Sequence, residues 1–283
     1  MNILVTGATG FVGRHVVRRL LDSGHVVTVI TRGEDRACSL PWFHQVDCIY
    51  HDLQKTTWDW QKFAVPDVLI HLAWSGLPNY NDFFHIAKNL PLDLRFLESA
   101  VQAGVSHLIV AGTCLEYGMQ YGPLGEEMDT FPFTPYGFAK DALRKSLEIL
   151  QQRNTFTLQW LRLFYMFGEG QNPTSLLSQL DRALDERREY FEMSIGNQLR
   201  DYLPIETIAR CFEWAVAHPD MKGVINCCSG KPISVLDLVY QHLEKRNGNI
   251  KLVRGHYNYP HYEPMAFWGV PQKLTKFGFI IDD

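Results

Sequence analysis

The chain has 283 residues, 46% hydrophobic, 20% charged and 13% aromatic, enough at this size to bury roughly 75% of the unfolded surface, which excludes a mini-protein or a largely disordered chain. Its formal charge of −4 gives no general attraction to nucleic acid or to an anionic membrane, and no run of about 18 apolar residues marks a membrane span. Cys38, Cys48, Cys114, Cys211, Cys227 and Cys228 include no C-x-x-C pair, which speaks against a disulfide framework or a zinc site and for free thiols in a reducing cytosol.

In chain order, Asn2–Thr6 reads as a short β-branched strand, and the start MNILVTGATGFVG carries no basic and apolar signal-peptide regions, so a cytoplasmic protein is expected. A helix over Phe11–Leu21 follows from apolar spacing at Val12, Val16, Val17, Leu20 and Leu21, closed by Gly24. Strands are expected at Val26–Ile30, Asp47–Tyr50, Val68–Leu72 and His107–Ala111, with a helix over Ile86–Ala103. A helix over Tyr136–Gln152 and a strand at Leu158–Phe164 come next. Strands alternating with helices predict an α/β fold, a doubly wound parallel sheet covered on both faces.

Beyond Phe164 the pattern loosens into a loop, a helix near Leu176–Arg188, a helix near Ile205–Ala217, a strand at Gly223–Cys227 and an aromatic- and proline-rich end. A smaller C-terminal substrate-binding lobe is expected there. The division is 1–165, rejoined by 201–227, for the larger domain, and 166–200 with 228–283 for the lobe. A ligand cleft then falls between them, at the carboxyl ends of the parallel strands.

Gly7, Gly10 and Gly13 lie between the first strand and the first helix, where backbone must approach a pyrophosphate and the helix N-terminus offers free N–H groups. A plain glycine turn that packs helix on strand is the bland alternative. At the end of the second strand an acidic residue would bind the ribose hydroxyls of NAD, but the chain reads Val29, Ile30, Thr31, Arg32. Arg32 suits the 2′-phosphate of NADP. NAD stays open, because a solvated loop arginine is common and Glu34 or Asp35 can bend back.

Tyr136 and Lys140 are four apart at a helix start, so both fall on one face. Such a pair also arises by chance on a solvated helix. Its chemistry is specific, however: a phenol with a reference pKa near 10 needs a close cation before it exchanges protons at neutral pH. Lys140 and an oxidised nicotinamide ring would supply that charge.

Together these motifs resemble the extended branch of the short-chain dehydrogenase/reductase superfamily, the NAD-dependent epimerase/dehydratase family. The resemblance is carried by the G-x-x-G-x-x-G spacing, by His71-Leu72-Ala73-Trp74, by Gly112-Thr113-Cys114-Leu115-Glu116-Tyr117-Gly118, by Pro135 before the Tyr136/Lys140 pair, and by Gly196–Tyr202, GNQLRDY. It implies the Rossmann form of the doubly wound sheet. It also implies cofactor contacts from Gly7, Thr9, Gly10, Phe11, Val12, Gly13, Arg32, Asp52, Leu53, Leu72, Ala73, Trp74 and Asn89 as well as Tyr136 and Lys140. Thr113, Tyr136 and Lys140 would be catalytic, with Thr113 donating a hydrogen bond to the substrate carbonyl, Tyr136 delivering the proton, and hydride coming from nicotinamide.

The resemblance further implies a nucleotide-sugar substrate, held by Ser75, Thr113, Cys114, Tyr165, Gln171, Asn172, Arg200 and Arg254. Arg200 would grip the diphosphate with its planar fork, and a surface arginine or one paired to Asp201 is the bland alternative. Tyr165 stands where many members carry Asn. Glu126 or Glu127, in a loop expected over the cleft, is a further candidate for a sugar contact. The members that dehydrate sugars carry an Asp-Glu pair after the catalytic Thr; here Cys114 and Leu115 stand there. What remains is hydride transfer at C4, as in reductases of nucleotide-linked 4-keto-6-deoxy sugars, with a C4 epimerase or a non-catalytic dinucleotide-binding regulator as rivals. His256 and His261 are close in sequence but no acidic pair joins them, so no metal is expected. The helices Ile86–Ala103 and Tyr136–Gln152 match a pair that forms a dimer contact in the family, which implies a homodimer.

Overall fold

The computed structural model describes residues 1–33, 37–55, 57–61 and 63–281. Its centre is a seven-stranded parallel sheet of β1 (Asn2–Thr6), β2 (Val26–Thr31), β3 (Asp47–Tyr50), β4 (Val68–His71), β5 (His107–Thr113), β6 (Thr157–Leu163) and β7 (Gly223–Cys227). The spatial order is β7-β6-β5-β4-β1-β2-β3. Strand order reverses between β1 and β4, which opens a crevice outside their carboxyl ends.

Side chains alternate across each strand, and this alternation builds two cores. Ile3 and Val5 of β1 join Val16, Val17 and Leu20 of α1 (Phe11–Asp22) on one face, together with Ile208 and Phe212 of the later helix Ile205–Ala217. Leu4 faces the other side with Leu108, Val110, Phe96 and Leu97, and with Leu143 and Leu147. Those last residues belong to α2 (Leu90–Gln102) and α3 (Pro135–Leu150). The expected helix over Ile86–Ala103 is two pieces: a π-helical turn at His85–Asn89 runs into α2, whose Pro91 sits in its first turn.

A third core joins Leu177, Leu180 and Ala183 of α4 (Leu176–Asp185) to Phe191, Met193, Leu238, Val239 and Leu243. These last three come from α6 (Val235–Lys245), α5 being Ile205–Ala217. Leu274 and Phe279, near the C-terminal end, pack with the first core beside α1 and α5 instead. Among the described residues no helix is long and apolar enough to cross a membrane.

Candidate active site

After β1 the chain turns at Gly7, whose φ is +71°. A Cβ there would lie 2.6 Å from the Ala73 backbone nitrogen, and one at Gly13 would collide with the Gly7 carbonyl. The turn therefore packs backbone to backbone on the segment that follows β4, which only glycine permits. Helix α1 begins at Gly10 with no side-chain cap and no acidic residue in its first turn. Its leading N–H groups are left for an anion, as a dinucleotide pyrophosphate would need. Thr9, Phe11 and Val12 are part-exposed at this turn, with Leu72 and Ala73 beside it. Thr6 Oγ1 accepts from the Ala73 amide at 3.3 Å and meets His71 Nδ1 at 2.9 Å. These residues fit a bound dinucleotide.

The other expected cofactor contacts are more scattered. Arg32 is exposed just past β2, while Glu34 and Asp35 lie outside the described residues. Asp52 accepts from the Gln54 amide at 3.1 Å, closing its own turn, and Leu53 packs on the second core. Asn89 and Ser75, expected to face cofactor and substrate, hold each other. The Ser75 hydroxyl donates to Asn89 Oδ1 at 2.9 Å, and Asn89 Nδ2 donates to the Ser75 carbonyl at 2.9 Å.

Thr113, at the end of β5, and Tyr136 and Lys140, in the first turns of α3, are all buried, and the Trp74 indole touches both helix residues, its ring 5.8 Å from that of Tyr136 and 4.0 Å from Lys140 Nζ. Thr134 caps α3 by accepting from the Gly137 amide at 3.1 Å, and the Tyr136 amide donates to the Tyr80 carbonyl at 3.1 Å. The Thr113 hydroxyl oxygen accepts from the Leu115 amide at 3.3 Å. Glu116, fully buried, accepts from the Thr113 amide at 2.8 Å, from Trp160 Nε1 at 2.9 Å and from Arg162 Nε at 2.7 Å.

Burial governs the electrostatics of the Tyr136 phenol. Burial pushes the phenol up, helped by Tyr80, Glu116 and Cys114, against the opposing effect of Thr113. Burial likewise pushes Lys140 down to about 8, against Asp93 and Glu116. Without a second cation the phenol keeps its proton.

On the substrate side Arg200 does not present an open fork. Its guanidinium is buried, pairs with Glu263 at 2.9 Å, donates to the Leu199 carbonyl at 2.8 Å and lies over the Phe267 ring at 4.6 Å. Asp201 is not its partner; that carboxylate gathers the amides of Ser229 at 2.6 Å and Gly230 at 2.9 Å. Tyr165 lies under Arg200, 5.7 Å from guanidinium to ring, and Cys114 is buried nearby with its thiol pushed up by burial. Gln171 donates to the Met166 carbonyl at 2.8 Å, and Asn172 Oδ1 accepts from Thr174 N at 2.9 Å, so both shape their own loop. Arg254 is exposed on Lys251–Arg254 and donates to the Ile195 carbonyl at 3.0 Å. Glu126 is no sugar contact, because its carboxylate accepts from the amides of Asn226 at 2.8 Å and Lys273 at 3.0 Å.

Four site residues escaped sequence reasoning. Tyr80 packs its ring at a tilt against Tyr136, 5.5 Å between centroids, with its phenol pushed up to about 12 by burial, and Tyr262 approaches it at 6.1 Å. His85, Glu116 and Glu263 complete the set. Glu116 lies inside the Gly112–Gly118 motif, and its carboxylate was a usable signal.

The model of the NAD dependent epimerase/dehydratase family matches residues 3–228. The chain is 32% identical over 273 residues, 95% of this chain and 99% of the relative, to dTDP-6-deoxy-L-talose 4-dehydrogenase (NAD(+)) of Aggregatibacter actinomycetemcomitans. It is 25% identical over 267 residues, 84% and 78% of the two chains, to UDP-glucose 4-epimerase of Halalkalibacterium halodurans. Among solved structures, MoeE5 in complex with UDP-glucuronic acid and NAD superposes with a TM-score of 0.85 at 26% identity, covering 100% of this chain and 94% of that one.

The glycine turn yields a direct test. Gly13→Ala is expected to weaken NAD(P)H binding by about tenfold or more and to cost roughly 1–3 kcal/mol of stability, because α1 must move off β1. Calorimetric titration and urea unfolding measure both; an unchanged dissociation constant would contradict the assignment of this turn.

Proposed function

The chain belongs to the NAD dependent epimerase/dehydratase family, and from that premise we propose that it is a reversible reductase of the C4 ketone in a nucleotide-linked 4-keto-6-deoxy sugar. The observation that carries this reading is the burial of Thr113, Tyr136 and Lys140 at the end of β5 and the start of α3, with Cys114 and Leu115, not an acid–base pair, following Thr113. When bound there, a nicotinamide dinucleotide supplies the hydride.

Tyr136 holds its proton at neutral pH, because burial disfavours the phenolate. It gives that proton to the sugar O4, to which Thr113 donates a hydrogen bond. Lys140, charged below about pH 8, steadies the phenolate that forms. In the reverse direction a phenolate must accept the alcohol proton, and a second positive charge beside the ring favours it.

Dehydration needs an extra acid and base next to Thr113. The Cys114 thiol is buried and pushed away from titration, Leu115 is apolar, and the Glu116 carboxylate is fully engaged. The relative named for a 6-deoxy-talose 4-dehydrogenase supports the reductase. A C4 epimerase is the second reading, favoured by the relatives named for that activity; it differs only in turning the intermediate ketone over before hydride returns. Arg32, exposed past β2 where NAD binders carry an acid, supports NADPH as the preferred reductant.

Incubation with thymidine-, guanosine- and cytidine-linked 4-keto-6-deoxy sugars is expected to consume reduced cofactor. Tyr136→Phe is expected to lower kcat by about 10²–10⁴ while leaving cofactor affinity within about twofold. For the wild type, kcat/KM for reduction is expected to fall above about pH 8 as Lys140 loses its proton. Interconversion of two hexoses without net cofactor change would favour the epimerase. In a separate comparison, Arg32→Ala is expected to raise the KM for NADPH about tenfold and leave that for NADH nearly unchanged; equal effects on both would overturn the NADPH preference.

A further inference from the structure

The Lys140 ammonium sits one turn beyond Tyr136 and is 2% exposed. The indole face of Trp74 lies 4.0 Å from Nζ to the ring centroid, and the Trp160 ring lies at 6.0 Å. The titratable groups around it come from three elements. Tyr136 shares its helix, Asp93 approaches from α2, and Glu116 from the turn after β5. Both carboxylates already have cationic or polar company: Asp93 lies 3.4 Å from His71 Nε2, and Glu116 lies 2.7 Å from Arg162.

The indole is itself aimed. Trp74 Nε1 donates to His85 Nδ1 at 3.0 Å, and His85 Nε2 meets the Asn79 carbonyl at 2.8 Å. Those partners assign the proton to Nε2 of a neutral ring. His85 is fully buried at the start of the π-helical turn. Asn89, at the end of that turn, lies 3.3 Å from the same Nδ1. The widened turn thus brings both residues inward, a use of π-helical geometry that recurs at functional sites. The edge of the indole also meets the Tyr136 ring at 5.8 Å and 69°.

We propose that Trp74 is the positioning residue of the Lys140 ammonium: its indole face, aimed by His85, holds the charged form of Lys140 beneath the reacting centre through a cation–π contact. The inference rests on the reductase reading for its consequence but not for its geometry. A π face suits this place because it favours a cation without adding a full negative charge. A carboxylate at that distance would steady Lys140 but would push the neighbouring phenol further up, as Glu116 already does. Cation–π attraction is strongest where water is excluded, as it is here.

The test reads Lys140 directly, without substrate. The protein is labelled with ¹³Cε-lysine, the Lys140 signal is assigned by its loss in Lys140→Met, and its titration midpoint is followed by NMR. Replacing tryptophan by 5-fluoro- and then 5,7-difluorotryptophan weakens the ring quadrupole with little change of shape. Lys140 is expected to titrate lower in steps, by about one pH unit in all, and the steps are expected to vanish in Trp74→Phe. The alkaline limb of kcat/KM for reduction is expected to move down by the same amounts. A Lys140 midpoint that ignores fluorination, or steps that persist in Trp74→Phe, would overturn the proposal. If the midpoint steps as expected but no 4-keto sugar is reduced, the positioning role stands and the reductase reading falls; if reduction proceeds with an unmoved midpoint, the positioning role falls alone.

Discussion

Burying an ammonium costs several kcal/mol unless something in the interior compensates, and Lys140 is held 2% exposed with its charge weakened to a pKa of about 8. The parts of the molecule that touch this charge are arranged around that cost. Aromatic faces take the place of water, two carboxylates stand off at longer range, and the phenol that shares the space keeps its proton. A site balanced this way responds to one more positive charge. A cation arriving beside it lowers the phenol and releases its proton, whereas a neutral arrival leaves the proton in place.

Rigidity around the charge comes from below. Glu116 and Arg162 form a fully buried ion pair, and the same carboxylate receives the Thr113 amide and the Trp160 indole. Arg162 also lies over the Tyr117 ring at 4.4 Å, and the Tyr117 hydroxyl reaches Asn226 at 2.8 Å. The carboxyl ends of β5, β6 and β7 are thereby bolted to one another. Such a network is weak evidence for stability, since removing either charge alone would leave the other stranded. Its better-supported effect is on geometry: the Thr113 hydroxyl is fixed where the phenol can reach it.

The framework was legible because its signals are local. Strands β1 and β3 are short runs bounded by turn residues, helix α5 carries a helical pattern that sets its bounds, and the glycine turn follows from backbone contacts at Gly7 and Gly13 that no side chain permits. The Tyr136/Lys140 pair was legible for the same reason, a fixed offset on one helix. What was not legible depends on long-range company. The π-helical turn at His85–Asn89 looks like plain helix in sequence. Arg200 reads as an open anion clamp until Glu263, 63 positions away, is brought against it. The burial that pushes the Tyr136 phenol up was not legible either, because it comes from packing against distant segments such as that of Tyr80.

The most direct measurement follows the hydrogen itself. A 4-keto-6-deoxy nucleotide sugar is incubated with NADPH or NADH carrying deuterium at the transferring position, and the product is read by NMR and mass spectrometry. One deuterium is expected at C4 per cofactor oxidised, with incorporation collapsing when Tyr136 loses its hydroxyl. A product that forms without deuterium at C4, or incorporation that survives that loss undiminished, would contradict this.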